Sequence, residues 1–226
     1  AKNGLIERRN LESGDRRVLE YPLEKRASNM LVSADQAHLI VSDFTGRSLR
    51  ILSTQTGKQV SQIDGPGSEV RVIVPGKGPA DLFSVHTDGS VCYFDLLASQ
   101  RRWTYSTGIK RVRDVALLND AKTMVISPIR GNPSVWNVTS EGLEKVTELS
   151  SESSRGTSLA ASPDGSVLVM GDQIGRVVLW DTYTWQPQAT LPHDDATIAS
   201  VRFSPSGDAL LVAGGSRTVT IWNTAP

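Results

Sequence analysis

The sequence predicts an all-β chain in which one small four-stranded sheet is copied again and again. Three observations carry this. A short β-rich run closing on the same kind of residue recurs at a nearly constant interval. The apolar runs are short, alternating or wholly apolar, and bounded by Gly, Pro, Asn or Asp. No segment shows a helical apolar period.

The recurring run is clearest at Val-Val-Leu-Trp-Asp (177–181) and Val-Thr-Ile-Trp-Asn (219–223), which place Trp180 and Trp222 42 residues apart. Trp136, Phe94, Leu52 and Arg9 hold the same place in earlier copies, and the successive spacings are 43, 42, 42, 44 and 42 residues. The turns Ser162-Pro163-Asp164-Gly165 and Ser204-Pro205-Ser206-Gly207 repeat at 42 as well. Within one period, Thr157 to Ser162 reads as a first strand, ended by a turn in which Pro fixes φ and Asp and Gly supply the bend. Ser166 to Met170, Arg176 to Asp181 and a last run reaching Leu191 follow, with a hairpin at Thr182 to Pro187.

Sheets of four strands, labelled a to d, at this period are the pattern of a β-propeller, whose sheets stack face to face because each has two apolar faces. At the Trp-Asp positions the chain resembles the WD-repeat family, strongly over 157–226 and more weakly towards the N-terminus. The family's polar set joins a His before strand a, a Ser or Thr in strand b, an Asp in the b–c turn and the Trp. No copy here has all four. The third has Ser84 and Asp88 with Phe94, and the fifth has Trp180 with Met170 and Ile174. The sixth has His193 and Trp222 with Val212 and Ser216. The repeats are degenerate, and packing is expected to hold them.

The expected organisation is a single propeller domain or fragment over 1–226. Residues 1–26 would supply strands c (Gly4 to Arg9) and d (Arg16 to Tyr21) of a partial blade. Full blades are expected at 27–68, 69–112, 113–156 and 157–198, with strands a, b and c of the last at 199–226. That makes about five blades, read as part of a seven-bladed ring of roughly 300 residues. The alternative is a five-bladed closure using Arg16 to Tyr21 as the final strand d. The chain opens on Ala1 rather than Met, so upstream sequence is expected.

Composition narrows the function. Lys+Arg and Asp+Glu are 24 each, so net charge is zero and a domain-wide nucleic-acid or membrane footprint is not expected. The basic groups lie mainly in residues 1–113 (net +5), the excess acid in 114–226 (net −5). No run of about 18 apolar residues occurs, and the first nine residues hold no apolar signal core. A soluble, cytoplasmic chain is expected.

No catalytic, cofactor or metal site is expected. His38, His86 and His193 fall in different copies at unrelated register positions, and Cys92 stands alone, so no ligand pair has metal spacing. Pro75-Gly76-Lys77-Gly78-Pro79 lacks the trailing Lys-Ser/Thr of a phosphate cradle. Arg101-Arg102 beside Trp103 and Tyr105 invites a stacking reading, yet it sits on an outer strand where solvated charge is normal.

Surface recognition remains. In the WD-repeat family the loops before strand a and between b and c line one face where partners dock. The resemblance maps that face to Glu69, Arg111, Arg113, Arg155, Asp194 and Asp195 before strand a. In the b–c turns it maps Asp43, Phe44, His86, Asp88, Arg130, Gln173 and Arg217. An aromatic and several Arg are residue types favoured at hot spots. On the opposite edge, Tyr183 and Trp185 in a c–d hairpin form an alternative aromatic surface, Trp185 standing where the family often has Gly; the other reading of Trp185 is a ring folded back on its own blade. The expected function is a non-catalytic scaffold for a protein or peptide partner, as a C-terminal docking or sensor region of a larger protein. Association through open blade faces is a further option. The competing class is a propeller enzyme of lactonase-like or quinoprotein type.

Overall fold

In the computed structural model the described residues are 6–9, 12–19, 27–33, 35–43, 47–118, 121–150, 156–192, 196–215 and 218–224. They form 21 strands and no helix, and none of them belongs to a helix long and apolar enough to cross a membrane. All pairing is antiparallel between neighbours in sequence. The chain divides into two compact units, Ala1–Ser106 and Thr107–Pro226.

In the first unit β1 (Ile6–Arg9) pairs only with β2 (Arg16–Leu19). A four-stranded sheet follows, of β3 (Ala27–Val32), β4 (His38–Asp43), β5 (Ser48–Ser53) and β6 (Gln59–Asp64). The next holds β7 (Val70–Pro75), β8 (Asp81–His86), β9 (Ser90–Asp95) and β10 (Gln100–Ser106). Alternation puts Ile40, Leu49, Ile51 and Ile63 of one sheet against Val70, Ile73, Leu82, Cys92 and Phe94 of the other, all buried. The opposite face of the earlier sheet gathers Leu39, Val41 and Leu52, with Ile6 and Ala27 packed on them.

The second unit repeats the plan. One sheet holds β11 (Val112–Leu117), β12 (Thr123–Pro128), β13 (Ser134–Val138) and β14 (Leu143–Glu148). Another holds β15 (Gly156–Ala161), β16 (Val167–Asp172), β17 (Arg176–Asp181) and β18 (Pro187–Pro192). The last has three strands, β19 (Ile198–Phe203), β20 (Ala209–Gly214) and β21 (Val219–Asn223). One core joins Leu118, Val125, Val135 and Leu149 to Leu159, Leu168, Met170 and Trp180. A second joins Val169 and Val177 to Ile198, Val201, Leu210 and Val212.

The first strand of the fifth copy ends at Ala161, one residue before the sequence places its end. Ser162 belongs to the turn: its hydroxyl donates to Asp164 and accepts the Val167 amide at 2.9 Å. The same device closes the a–b turn at Ser33, which accepts from the His38 amide, and at Ser204, which accepts from Ala209.

Each first strand carries a β-bulge at the same register, between Ala27/Asn29, Val70/Val72, Val112/Asp114, Gly156/Ser158 and Ile198/Ser200. A bulge re-aims the side chain that follows it. Asn29, Asp114 and Ser158 thereby reach the first strand of the next sheet. Asn29 Nδ2 donates to the Val70 carbonyl at 2.7 Å, Asp114 Oδ2 accepts the Leu159 amide at 2.8 Å, and Ser158 Oγ accepts the Val201 amide at 3.2 Å. In three of the five bulged strands one polar residue thus stitches consecutive blades.

Candidate functional site

At the end of the sheets where each bulge lies, the residue before the first strand is tied to the turn after the second. The Thr87 amide donates to the Glu69 carbonyl at 2.9 Å, Ile129 to Arg111 at 2.8 Å, and Gly215 to Thr197 at 3.0 Å. The two loops that the resemblance assigns to docking are therefore held side by side by backbone bonds, and their side chains stand on a rigid base.

In the first unit Glu69 is half-buried and its neighbour Ser68 anchors a polar chain. His86 Nδ1 meets the Ser68 carbonyl at 2.7 Å and its Nε2 meets Ser84 Oγ at 2.7 Å. A carbonyl only accepts, so Nδ1 carries the proton and Nε2 accepts from the serine hydroxyl. Burial pushes the His86 pKa below its ordinary value and keeps the ring neutral. At 1% exposure His86 cannot touch a partner, which corrects the expectation that it is a contact residue. It holds the loop that presents Glu69. Asp88, in the turn that follows, stays exposed: partial burial opposes its charge, but the hydroxyl and amide of Ser90 outweigh that and hold its carboxyl below the usual range.

In the second unit Arg111 and Arg130 are both exposed, on loops joined by the Arg111–Ile129 bond, with Lys110 exposed beside them. Arg111 adopts a left-handed φ of 60°, which turns the chain sharply into β11. Arg113 lies half-buried on β11 itself, and Gln173 is half-buried with its carbonyl accepting Thr197 Oγ1 at 3.0 Å. Asp43 ends β4, and its side chain lies outside the described residues, as do Phe44, Arg155, Asp194, Asp195 and Arg217.

One residue escaped the sequence reading. Asp172, wholly buried, accepts from the amides of Ile174 and Arg176 at 2.9 Å and from Arg176 Nε at 3.1 Å. It pairs across from Gly156 as His86 pairs from Val70, so both fill one register position. An Asp ending a strand two residues before an amide it can accept was the available signal.

The family's polar set is broken in the way the degenerate copies imply. Trp180 and Trp222 have buried Nε1 atoms with no hydrogen-bond partner, because apolar Met170 and Val212 stand where an acceptor would be. Trp136 finds its own acceptor, Ser134 Oγ at 2.7 Å on the same strand. Ser84, in the copy that has Phe94 in place of the Trp, turns to His86 instead. His193 and Ser216 lie outside the described residues.

On the opposite edge the hairpin aromatics part company. Tyr183 is 94% exposed, whereas Trp185 packs on the core that includes Leu168 and Trp180. Of the two readings the sequence left for Trp185, an exposed ring or one folded back on its own blade, the second holds, with the residue at a left-handed φ of 57°. Among the described residues no group of three or more His, Cys, Asp or Glu could hold a metal ion.

Residues 185–223 match the family described as WD domain, G-beta repeat. The meiotic recombination protein rec14 of Schizosaccharomyces pombe is 31% identical over 104 residues, covering 46% of this chain and 34% of that protein. Protein groucho of Drosophila melanogaster is 25% identical over 152 residues, covering 67% of this chain and 20% of its own. The match therefore spans about a third of the length of one of these relatives and a fifth of the other. Among solved structures, the β-propeller domain of Cps50 (Swd1) from Myceliophteria thermophila superposes with a TM-score of 0.79 at 16% identity, over 88% of this chain and 66% of that one. That likeness shows the fold. Propellers of this kind typically serve as scaffolds for protein interaction and are generally non-enzymatic.

Proposed function

Since the chain is built of WD-type repeats folded into β-propeller blades, we propose that it is a non-catalytic docking platform, working as one region of a larger protein. Its partner is a protein segment that lies on the loop ends of the blades. The observation that carries this is the exposed trio Lys110, Arg111 and Arg130, mounted on two loops that a backbone hydrogen bond locks together. Cationic side chains on a preorganised base lose little freedom on binding, and Arg pairs with carboxylates in two-pronged fashion. The partner segment is accordingly acidic. Zero net charge over the whole chain favours a protein over a nucleic acid.

The test is selection of peptides from a display library against the full 226-residue chain, followed by affinity measurement on variants. Acidic ligands that lose about tenfold or more on R111E/R130E, but not on R101E/R102E, support the reading. Ligands indifferent to R111E/R130E, or a DNA oligonucleotide that binds more tightly than any of them, overturn it.

A further inference from the structure

Ile174 is an exposed apolar residue in an unusual place. It is 57% exposed, in the turn between β16 and β17. A single exposed apolar side chain is ordinary on a protein surface, so its position decides what it means. Arg130 and Ile174 each stand two residues beyond the end of a second strand, Pro128 of β12 and Asp172 of β16. They are therefore the same position in consecutive blades of one unit.

The two turns are neighbours in space as well. Ser127 Oγ, one residue before the end of β12, donates to the Gly156 carbonyl at 3.3 Å, and Gly156 pairs with Asp172. The ends of β12 and β16 thus meet across one residue of β15, and the turns carrying Arg130 and Ile174 rise from that contact. The Ile174 turn is as firmly based as the arginine loops. Buried Asp172 accepts the Ile174 amide at 2.9 Å, and the Gln173 carbonyl accepts the Thr197 hydroxyl at 3.0 Å. Gly175, at a left-handed φ of 85°, returns the chain to β17. A β-branched side chain is stiff at χ1, so Ile174 loses little freedom on contact.

Charge alone serves such a surface poorly. Exposed ion pairs are individually weak, are screened by salt and set no register. An apolar contact beside them excludes water and fixes which carboxylate meets which arginine. We propose that Ile174 is the apolar anchor of the surface formed by Arg111 and Arg130, an inference that rests on the docking role given to those arginines. The partner segment is then extended and acidic, crosses from one blade to the next, and carries one aliphatic side chain at a fixed distance from its carboxylates. That spacing is what selects it among acidic segments.

The probes are fluorescein-labelled peptides of Glu-Glu-Gly repeats, about twelve residues long and roughly 40 Å when extended. In one set each residue in turn is replaced by Leu, and in a matched set by Ser. Anisotropy is followed on titration with the full chain. Leu at one position, or at two neighbouring ones, should tighten binding about tenfold over Ser at that place. Ile174→Ser, a change at an exposed turn, should erase that gain and leave the Ser peptides unaffected, whereas R111E/R130E should weaken every peptide. The peptide sets leave the protein untouched, so a misfolded variant cannot mimic the positional gain. A gain equal at all positions, a gain that survives Ile174→Ser, or no binding up to about 1 mM overturns the anchor. So does the absence of any gain, and if the peptides still depend on Arg111 and Arg130 the docking reading then stands without it. Peptides that bind but are indifferent to R111E/R130E overturn both.

Discussion

The carboxylate of Asp114 accepts the backbone amide of Leu159 across 2.8 Å, joining the first strands of two consecutive sheets 45 residues apart in sequence. The bond exists because the bulge at Val112/Asp114 turns that side chain away from its own ladder. Asp114→Ala leaves a part-buried amide unsatisfied and should destabilise the chain by about 1–3 kcal/mol. Asp114→Asn keeps an accepting oxygen and should cost less. Urea midpoints of the two variants decide it, and equal losses would remove the stitch from the account.

Trp136 and Trp180 occupy equivalent places but differ at one atom. Trp136 Nε1 donates to buried Ser134, while Trp180 Nε1 has no partner. Trp136→Phe deletes a hydrogen bond and strands the serine, whereas Trp180→Phe deletes an unpaired donor. The first should cost about 1 kcal/mol more than the second, measured by denaturant unfolding.

Gly171 is required by a close approach. A Cβ there would lie 2.3 Å from Ile198 Cγ2 and 2.7 Å from Ile198 Cβ. Gly171→Ala should therefore destabilise by about 1–3 kcal/mol. Part of that loss should vanish when Ile198→Ala is present, since the double variant removes Ile198 Cγ2, the nearer of the two clashing atoms. Strict additivity in the cycle would show that the two do not meet.

His86 makes stability fall with acid. Its pKa is depressed by burial in the fold and returns to 6.5 on unfolding, so below that value the unfolded chain binds more protons. The neutral ring's contribution is complete above pH 6.5 and shrinks as pH drops through and below it towards the folded value. Thermal midpoints between pH 8 and pH 5 should drop more for the parent chain than for His86→Gln. A parent profile as flat as the variant's would refute this.

Cys92 should be inert. It is fully buried on β9, and burial pushes its thiol pKa above the ordinary value. Ellman's reagent at pH 8 should react negligibly with the native chain and promptly after addition of denaturant. Rapid labelling without denaturant would contradict the burial.

Much of this was legible beforehand, and for a definite reason. The period was visible because each copy must place an apolar side chain at the same register of its third strand, as Leu52, Phe94, Trp136 and Trp180 do, all buried. The failure of the family's polar set was legible for the same reason, since Met170 and Val212 offer no hydroxyl to accept the indole proton. His86 was not legible: a histidine in a b–c turn reads as exposed until Ser84 and Ser68 are brought to its two nitrogens. Trp185 stood open between two readings, and only its left-handed backbone and its packing on the core return the ring to the blade.

By itself, then, the order of residues determined the strands, their antiparallel pairing and their repetition, because alternation and turn chemistry act over a few neighbours. Tertiary structure alone decided which polar groups turn inward and which loops share a base. Those outcomes depend on contacts between residues some forty positions apart, such as Asp114 with Leu159 and Asn29 with Val70. No local pattern records them, since the bulge that aims each side chain appears only once the strands have paired.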